Sequence, residues 1–142
     1  MELVSIPEEC PQPLLSGVDL DKPISTERQD VKIGVTQIIL GDRSLDATLD
    51  LCQRAGYEAV ELTFGVDKDL HVDMSDGDLG QVADKCKTAG VEVASVIAHY
   101  AERGNLMSRD SSQRDQAVKG VRRAVAIAGT LGVDGVLLHP GQ

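Results

Sequence analysis

The chain of 142 residues has no Trp, a single Phe (Phe64) and two Tyr (Tyr57 and Tyr100), so the aromatic platforms on which single-stranded nucleic acids stack are missing. Basic side chains are scarce as well: 14 Lys and Arg stand against 23 Asp and Glu, a formal charge of -9. Such a balance repels phosphate backbones and anionic lipid, so neither nucleic acid nor a membrane is an expected partner. Cysteine is limited to Cys10, Cys52 and Cys86, an odd set without a CxxC pair. That excludes a disulfide framework and a zinc knuckle and points to a reducing compartment. No apolar run approaches the roughly eighteen residues needed to cross a bilayer. The first residues carry Glu2, Glu8 and Glu9 and do not read as a signal peptide, so a cytoplasmic location is expected.

Several chemical motifs are also absent. The first strand-like segment, Ile33-Gly34-Val35-Thr36-Gln37, lacks the GxGxxG of a dinucleotide site. There is no GxxxxGK[ST] for nucleotide phosphates, no HExxH and no GxSxG. The acids Asp67, Asp69, Asp73, Asp76 and Asp78 crowd one region, but without the ligand spacing or bidentate glutamate of a calcium loop. Helix capping and solvation account for them better.

What is present divides the chain in two. Residues 1–30 hold four of the five prolines, Pro7, Pro11, Pro13 and Pro23, without sustained periodicity, and read as an arm or linker. Residues 31–142 are expected to form one α/β domain. Val31, Ile33, Val35, Ile38, Ile39 and Leu40 form an apolar, β-branched run of strand length. Asp42 or Ser44 is placed to cap a helix whose Leu45, Thr48, Leu49 and Cys52 share one face and which stops near Gly56.

A repeat organises the remainder. Ala55-Gly56-Tyr57-Glu58-Ala59-Val60-Glu61-Leu62 lines up with Ala89-Gly90-Val91-Glu92-Val93-Ala94-Ser95-Val96 and with Leu131-Gly132-Val133-Asp134-Gly135-Val136-Leu137-Leu138. The glycines lie 34 and 42 residues apart, room for one strand, one helix and their connections. Each glycine ends a helix, and an apolar residue, an acid and a short strand follow. Ser75 and Asp78 fit a capping box before Leu79, Val82, Ala83 and Cys86. Polar residues from Ser108 to Ser112 lead into an expected helical face of Ala117, Val118, Val121, Ala124, Val125 and Ala128. The order β-α-β-α-β-α-β predicts a parallel sheet of four strands with three helices.

In parallel α/β folds, ligands gather at the carboxyl ends of strands. Those positions are Thr36 and Gln37, then Glu61, Thr63 and Phe64, then His99 and Tyr100, and finally His139, Pro140 and Gly141. Glu61, between Val60 and Leu62, is a costly charge unless it is paired or faces a site. His139 leaves an apolar strand just where proline and glycine turn the backbone. Glu61, His99 and His139 are therefore the candidate substrate-binding residues; His71, Asn105 and Arg109 read as polar loop residues.

Ile33-Gly34-Val35, the Ala55–Leu62 segment, Ala128-Gly129-Thr130-Leu131-Gly132-Val133 and Leu138-His139-Pro140-Gly141 together resemble the sugar phosphate isomerase/epimerase family, the xylose isomerase-like TIM barrel group. The resemblance spans about residues 31–142 and implies the amino-terminal half of that barrel. It also implies isomerisation or epimerisation of small sugars, with a divalent metal (Mn, Co, Mg or Zn) polarising oxygen while a carboxylate moves a proton. Glu61 matches the family's acid ending strand two, and His139 its histidine ending strand four. In that family the metal-binding and proton-transferring carboxylates come from strands five to eight. The resemblance therefore assigns no metal ligand to this chain and leaves its catalytic residues unknown. Two expectations follow: half of a sugar isomerase or epimerase, inactive alone, or a non-catalytic half-barrel that pairs with itself, with a completing chain or with a small sugar.

Overall fold

The computed structural model describes residues 31–98 and 104–140. The expected arm at 1–30 lies outside the described residues, as do His99, Tyr100 and Gly141. Strands β1 (Gly34–Thr36), β2 (Ala59–Phe64), β3 (Glu92–Ala98) and β4 (Val136–Leu138) alternate with helices α1 (Leu45–Ala55), α2 (Asp76–Ala89) and α3 (Ser111–Thr130). The strands form one parallel sheet in the order β1-β2-β3-β4. The expected α/β class and its βα repeat are therefore found.

Local chemistry accounts for the helix boundaries. Ser44 caps α1 by accepting from the Ala47 N–H at 3.3 Å, while Ser75 and Asp78 form the reciprocal box that opens α2. Asp110 accepts from the Ser112 N–H at 2.8 Å at the start of α3. At the other ends the three repeat glycines all take left-handed backbone, with φ of 77° at Gly56, 66° at Gly90 and 72° at Gly132. A side chain at any of them would strain the turn that sends each helix back toward the sheet.

The sheet has two unlike faces. Val35, Val60, Leu62, Phe64, Val96 and Ala98 point to the helix layer, where they join Leu49, Leu79 and Ile127 in one buried core. Each large side chain sealed there contributes about 1.5–3 kcal/mol. Thr36, Glu61, Thr63, Ser95 and Leu137 alternate with these residues and line the inner face. Phe64, expected at the ligand rim, is instead 1% exposed in the core, because the alternation of β2 turns it toward the helices.

Two further expectations are corrected. The apolar run from Val31 to Leu40 yields only a three-residue strand; Gln37–Leu40 wind into a 3-10 turn, and Val31, Ile33, Ile38 and Ile39 are exposed. The cause is Gln37, whose side chain accepts the Thr63 N–H at 3.0 Å and thereby stands in for the next backbone acceptor of the ladder. On α3, the buried face is Ala117, Gly120, Ala124, Ile127 and Ala128, while Val118 and Val125 are exposed. Small residues face inward because the helix packs closely: a Cβ on Gly104 would lie 2.5 Å from the Ala117 nitrogen.

Candidate functional site

Glu61 is the one residue of β2 that is not buried, and it occupies the inner face near the middle of the sheet. Its neighbours across the sheet are set by the register. Thr36 of β1 pairs with Glu61, which in turn pairs with Ser95 of β3, so three oxygen-bearing side chains stand at one level on three adjacent strands. Ser95 Oγ donates to Glu61 Oε2 at 2.7 Å. The Thr36 hydroxyl is buried and finds no hydrogen-bond partner among the described residues. Such a group costs about 1–3 kcal/mol.

Two residues further along the same strand face, Thr63 is 4% exposed and its backbone is tied to Gln37. Gln37, 6% exposed, also donates through Nε2 to Asp69 at 2.7 Å. This buried amide joins the turn after β1, the end of β2 and the loop before α2. Above it opens a cavity of about 730 Å³, walled by Gln37, Thr63, Asp69, Ser44 and the ion pair of Lys68 with Asp42, whose Nζ–Oδ1 distance is 2.7 Å. Lys68 holds the Asp42 carboxyl below its ordinary value. Asp67 lines the same cavity with a left-handed φ of 54°, a conformation that non-glycine residues adopt at some cost.

The structure does not bring Glu61 and His139 to one level of the sheet. Ser95, level with Glu61, precedes Val96, the partner of Val136 in β4, whereas His139 lies three positions beyond Val136. His139 therefore lies four residue positions beyond the level of Glu61, just past the end of β4. It is exposed. His99 falls outside the described residues. Asn105 turns inward on its own loop, its Oδ1 accepting the Met107 N–H at 2.7 Å. Sequence reasoning missed the role of Asp69, which it treated as a solvated acid. Nothing in the local pattern signals that a buried glutamine 32 residues earlier reaches it.

Among the described residues, no group of three or more His, Cys, Asp or Glu side chains is arranged to hold a metal ion.

A layered parallel sheet with sequential strand order, helices on one face and a mixed face bearing Thr36, Glu61, Thr63 and Ser95 on the other, is part of a β/α barrel. The family model for the xylose isomerase-like TIM barrel matches residues 49–142, and the chain belongs to that family. Solved structures agree on the fold. A D-psicose 3-epimerase determined in the presence of D-fructose superposes with a TM-score of 0.62 at 14% identity, covering 78% of this chain and 37% of its own. A xylose isomerase domain protein from Planctomyces limnophilus gives 0.58 at 18% identity, covering 78% and 41%. The 3-keto-D-glucoside 4-epimerase from E. coli gives 0.55 at 15% identity, covering 75% and 36%. The chain thus spans well under half the length of these structures. No curated protein sequence matches it at a significant level. Among the described residues, no helix is long and apolar enough to cross a membrane.

Proposed function

We propose that this chain supplies one substrate-facing wall of a sugar isomerase or epimerase barrel, with Glu61 as its central polar group and His99 and His139 as further sugar-side residues. The observation that carries the reading is the inner-face level of Thr36, Glu61 and Ser95. A carboxylate between two hydroxyls, at the face that a β/α barrel encloses, suits a polyhydroxylated ligand. Hydroxyl groups of a sugar can donate to Glu61. A carboxylate so placed can also move a proton at a carbon beside a carbonyl. The names of two structural neighbours, D-psicose 3-epimerase and 3-keto-D-glucoside 4-epimerase, support a sugar as the substrate class.

This reading gives the chain a share in binding and orienting the sugar. Turnover, and any divalent metal, belong to the complete barrel, with its remaining strands from the same or another chain. Residues 1–30 act as a linker or arm, and the cytoplasm is the location that the cysteine usage favours.

The test is a titration of the full chain with ¹³C-labelled D-fructose, followed by NMR. Binding on the order of millimolar is expected for the unaltered chain, with loss in Glu61→Gln and no conversion of the sugar on addition of Mn²⁺ or Co²⁺. Identical sugar spectra with the unaltered chain and with Glu61→Gln would overturn the reading for this ketose.

The exposure of Leu137, 52% on the inner face of β4, favours a second reading, in which a half-barrel closes by pairing with another copy or a completing chain. A mass in solution twice that of the single chain, returning to one on Leu137→Asp, is its expected signature.

A further inference from the structure

The register between β2 and β3 contains one irregularity, and it falls beside Glu61. Val60 pairs with Val93, yet Glu61 pairs with Ser95, so Ala94 is one residue more than the ladder needs. Successive side chains of a strand point to opposite faces. Without the extra residue, Ala94 would stand opposite Glu61, and Ser95 would share the face of Leu62, which is fully buried in the helix-side core. The bulge carries Ala94 into an exposed position and turns Ser95 to the inner face, where its Oγ reaches Glu61 Oε2 at 2.7 Å. A bulge disrupts the ladder locally, and what this one provides is that contact.

We propose that Ser95 is a positioning residue for Glu61: the bulge in β3 holds the serine hydroxyl against one carboxylate oxygen and so fixes the direction in which the carboxylate meets a bound polyol. The inference rests on the reading of Glu61 as a sugar-side group. A free glutamate side chain samples several rotamers, and restraining it before binding removes an entropic cost from the association. The charged acceptor also makes this a stronger bond than one between neutral groups. Serine suits the position because a short hydroxyl reaches the neighbouring strand without displacing the half-buried carboxylate.

The experiment uses the full chain with D-fructose as probe and has two readouts. The first is D-fructose affinity: Ser95→Ala is expected to weaken it about tenfold, with Ser95→Thr, which keeps the hydroxyl, within about threefold of the unaltered chain. The second needs no sugar. Three-bond couplings of the Glu61 side chain are expected to report one rotamer in the unaltered chain and in Ser95→Thr, and averaged rotamers in Ser95→Ala. Ser95→Cys, close in volume and a weak donor, follows Ser95→Ala and replaces it if the alanine variant does not fold. Unchanged couplings in Ser95→Ala, or undiminished affinity in that variant while Glu61→Gln loses binding, would overturn the inference. If the unaltered chain does not bind D-fructose, the sugar reading fails on its own and the couplings alone decide the role of Ser95.

Discussion

Gln37, in the turn that follows β1, accepts the backbone N–H of Thr63 in β2 at 3.0 Å, across 26 residues of sequence. A side-chain amide here takes over from a strand that has already ended. The same amide donates to Asp69 at 2.7 Å, so one buried residue closes the polar accounts of a strand end and of the loop beyond it. That amide also lines the cavity at this end of the sheet.

Replacing Gln37 by alanine leaves the buried Thr63 N–H and the partly buried Asp69 carboxylate without this partner. A loss of about 1–3 kcal/mol in folding stability is expected, read as a lower urea midpoint with an unchanged slope. Ile38→Ala, at the next position and 42% exposed, serves as the control and should stay within about 0.5 kcal/mol of the unaltered chain. Equal effects at the two positions would mean that the amide does not support the turn.

Gly104 meets the first turns of α3 so closely that a Cβ would lie 2.5 Å from the Ala117 nitrogen and 2.7 Å from the Gln113 oxygen, both backbone atoms. Gly104→Ala is expected to destabilise the domain by about 1–3 kcal/mol, since α3 or the preceding segment must shift. Gly80 gives the opposite sign. It lies exposed in α2 with nothing within 4 Å of an added Cβ, so Gly80→Ala should stabilise by up to about 1 kcal/mol. Urea unfolding of the two variants side by side checks both.

Much of this architecture is legible in the sequence because it is locally encoded. Ser44, Ser75 and the glycines at 56, 90 and 132 mark helix ends through interactions within four residues, and the alternation in β2 marks its two faces. Glu61 could be singled out because a charge between Val60 and Leu62 contradicts its surroundings. What the sequence does not disclose depends on distant partners. The short β1 follows from the reach of Gln37 to Thr63, and the inward face of α3 from the core that Ala124, Ile127 and Ala128 join. The contact of Ser95 with Glu61 exists only because of a bulge, and a bulge leaves no periodic trace.

Cys52 and Cys86 are buried in the helix-side core, at 0% and 3% exposure, and burial pushes both thiols above their ordinary value. Because the thiolate is the reactive form, alkylation of these two residues by iodoacetamide at pH 8 should be slow in the folded chain. Addition of urea should accelerate it through the unfolding transition. Peptide mapping by mass spectrometry separates them from Cys10. Rapid labelling of either residue without urea would show that the α1 and α2 packing opens readily.

The capping box at α2 carries a pH dependence whose sign is set by its hydrogen bonds. The Ser75 hydroxyl donates to Asp78 Oδ2 at 2.7 Å and the Ser75 N–H to the same oxygen at 2.9 Å, which together lower the Asp78 carboxyl from its ordinary 3.8. At α3 the N–H of Ser112 similarly lowers Asp110. A carboxyl lowered in the folded state binds fewer protons there than in the unfolded chain. Its stabilising contribution is therefore complete above the ordinary value and fades as pH falls through the folded one. Asp78→Ala should lower the urea midpoint at pH 6–7, and the gap to the unaltered chain should narrow steadily below about pH 4. Asp110→Ala should behave alike. A gap that persists unchanged at pH 2.5 would mean that the loss comes from helix propensity or packing and not from the ionised cap.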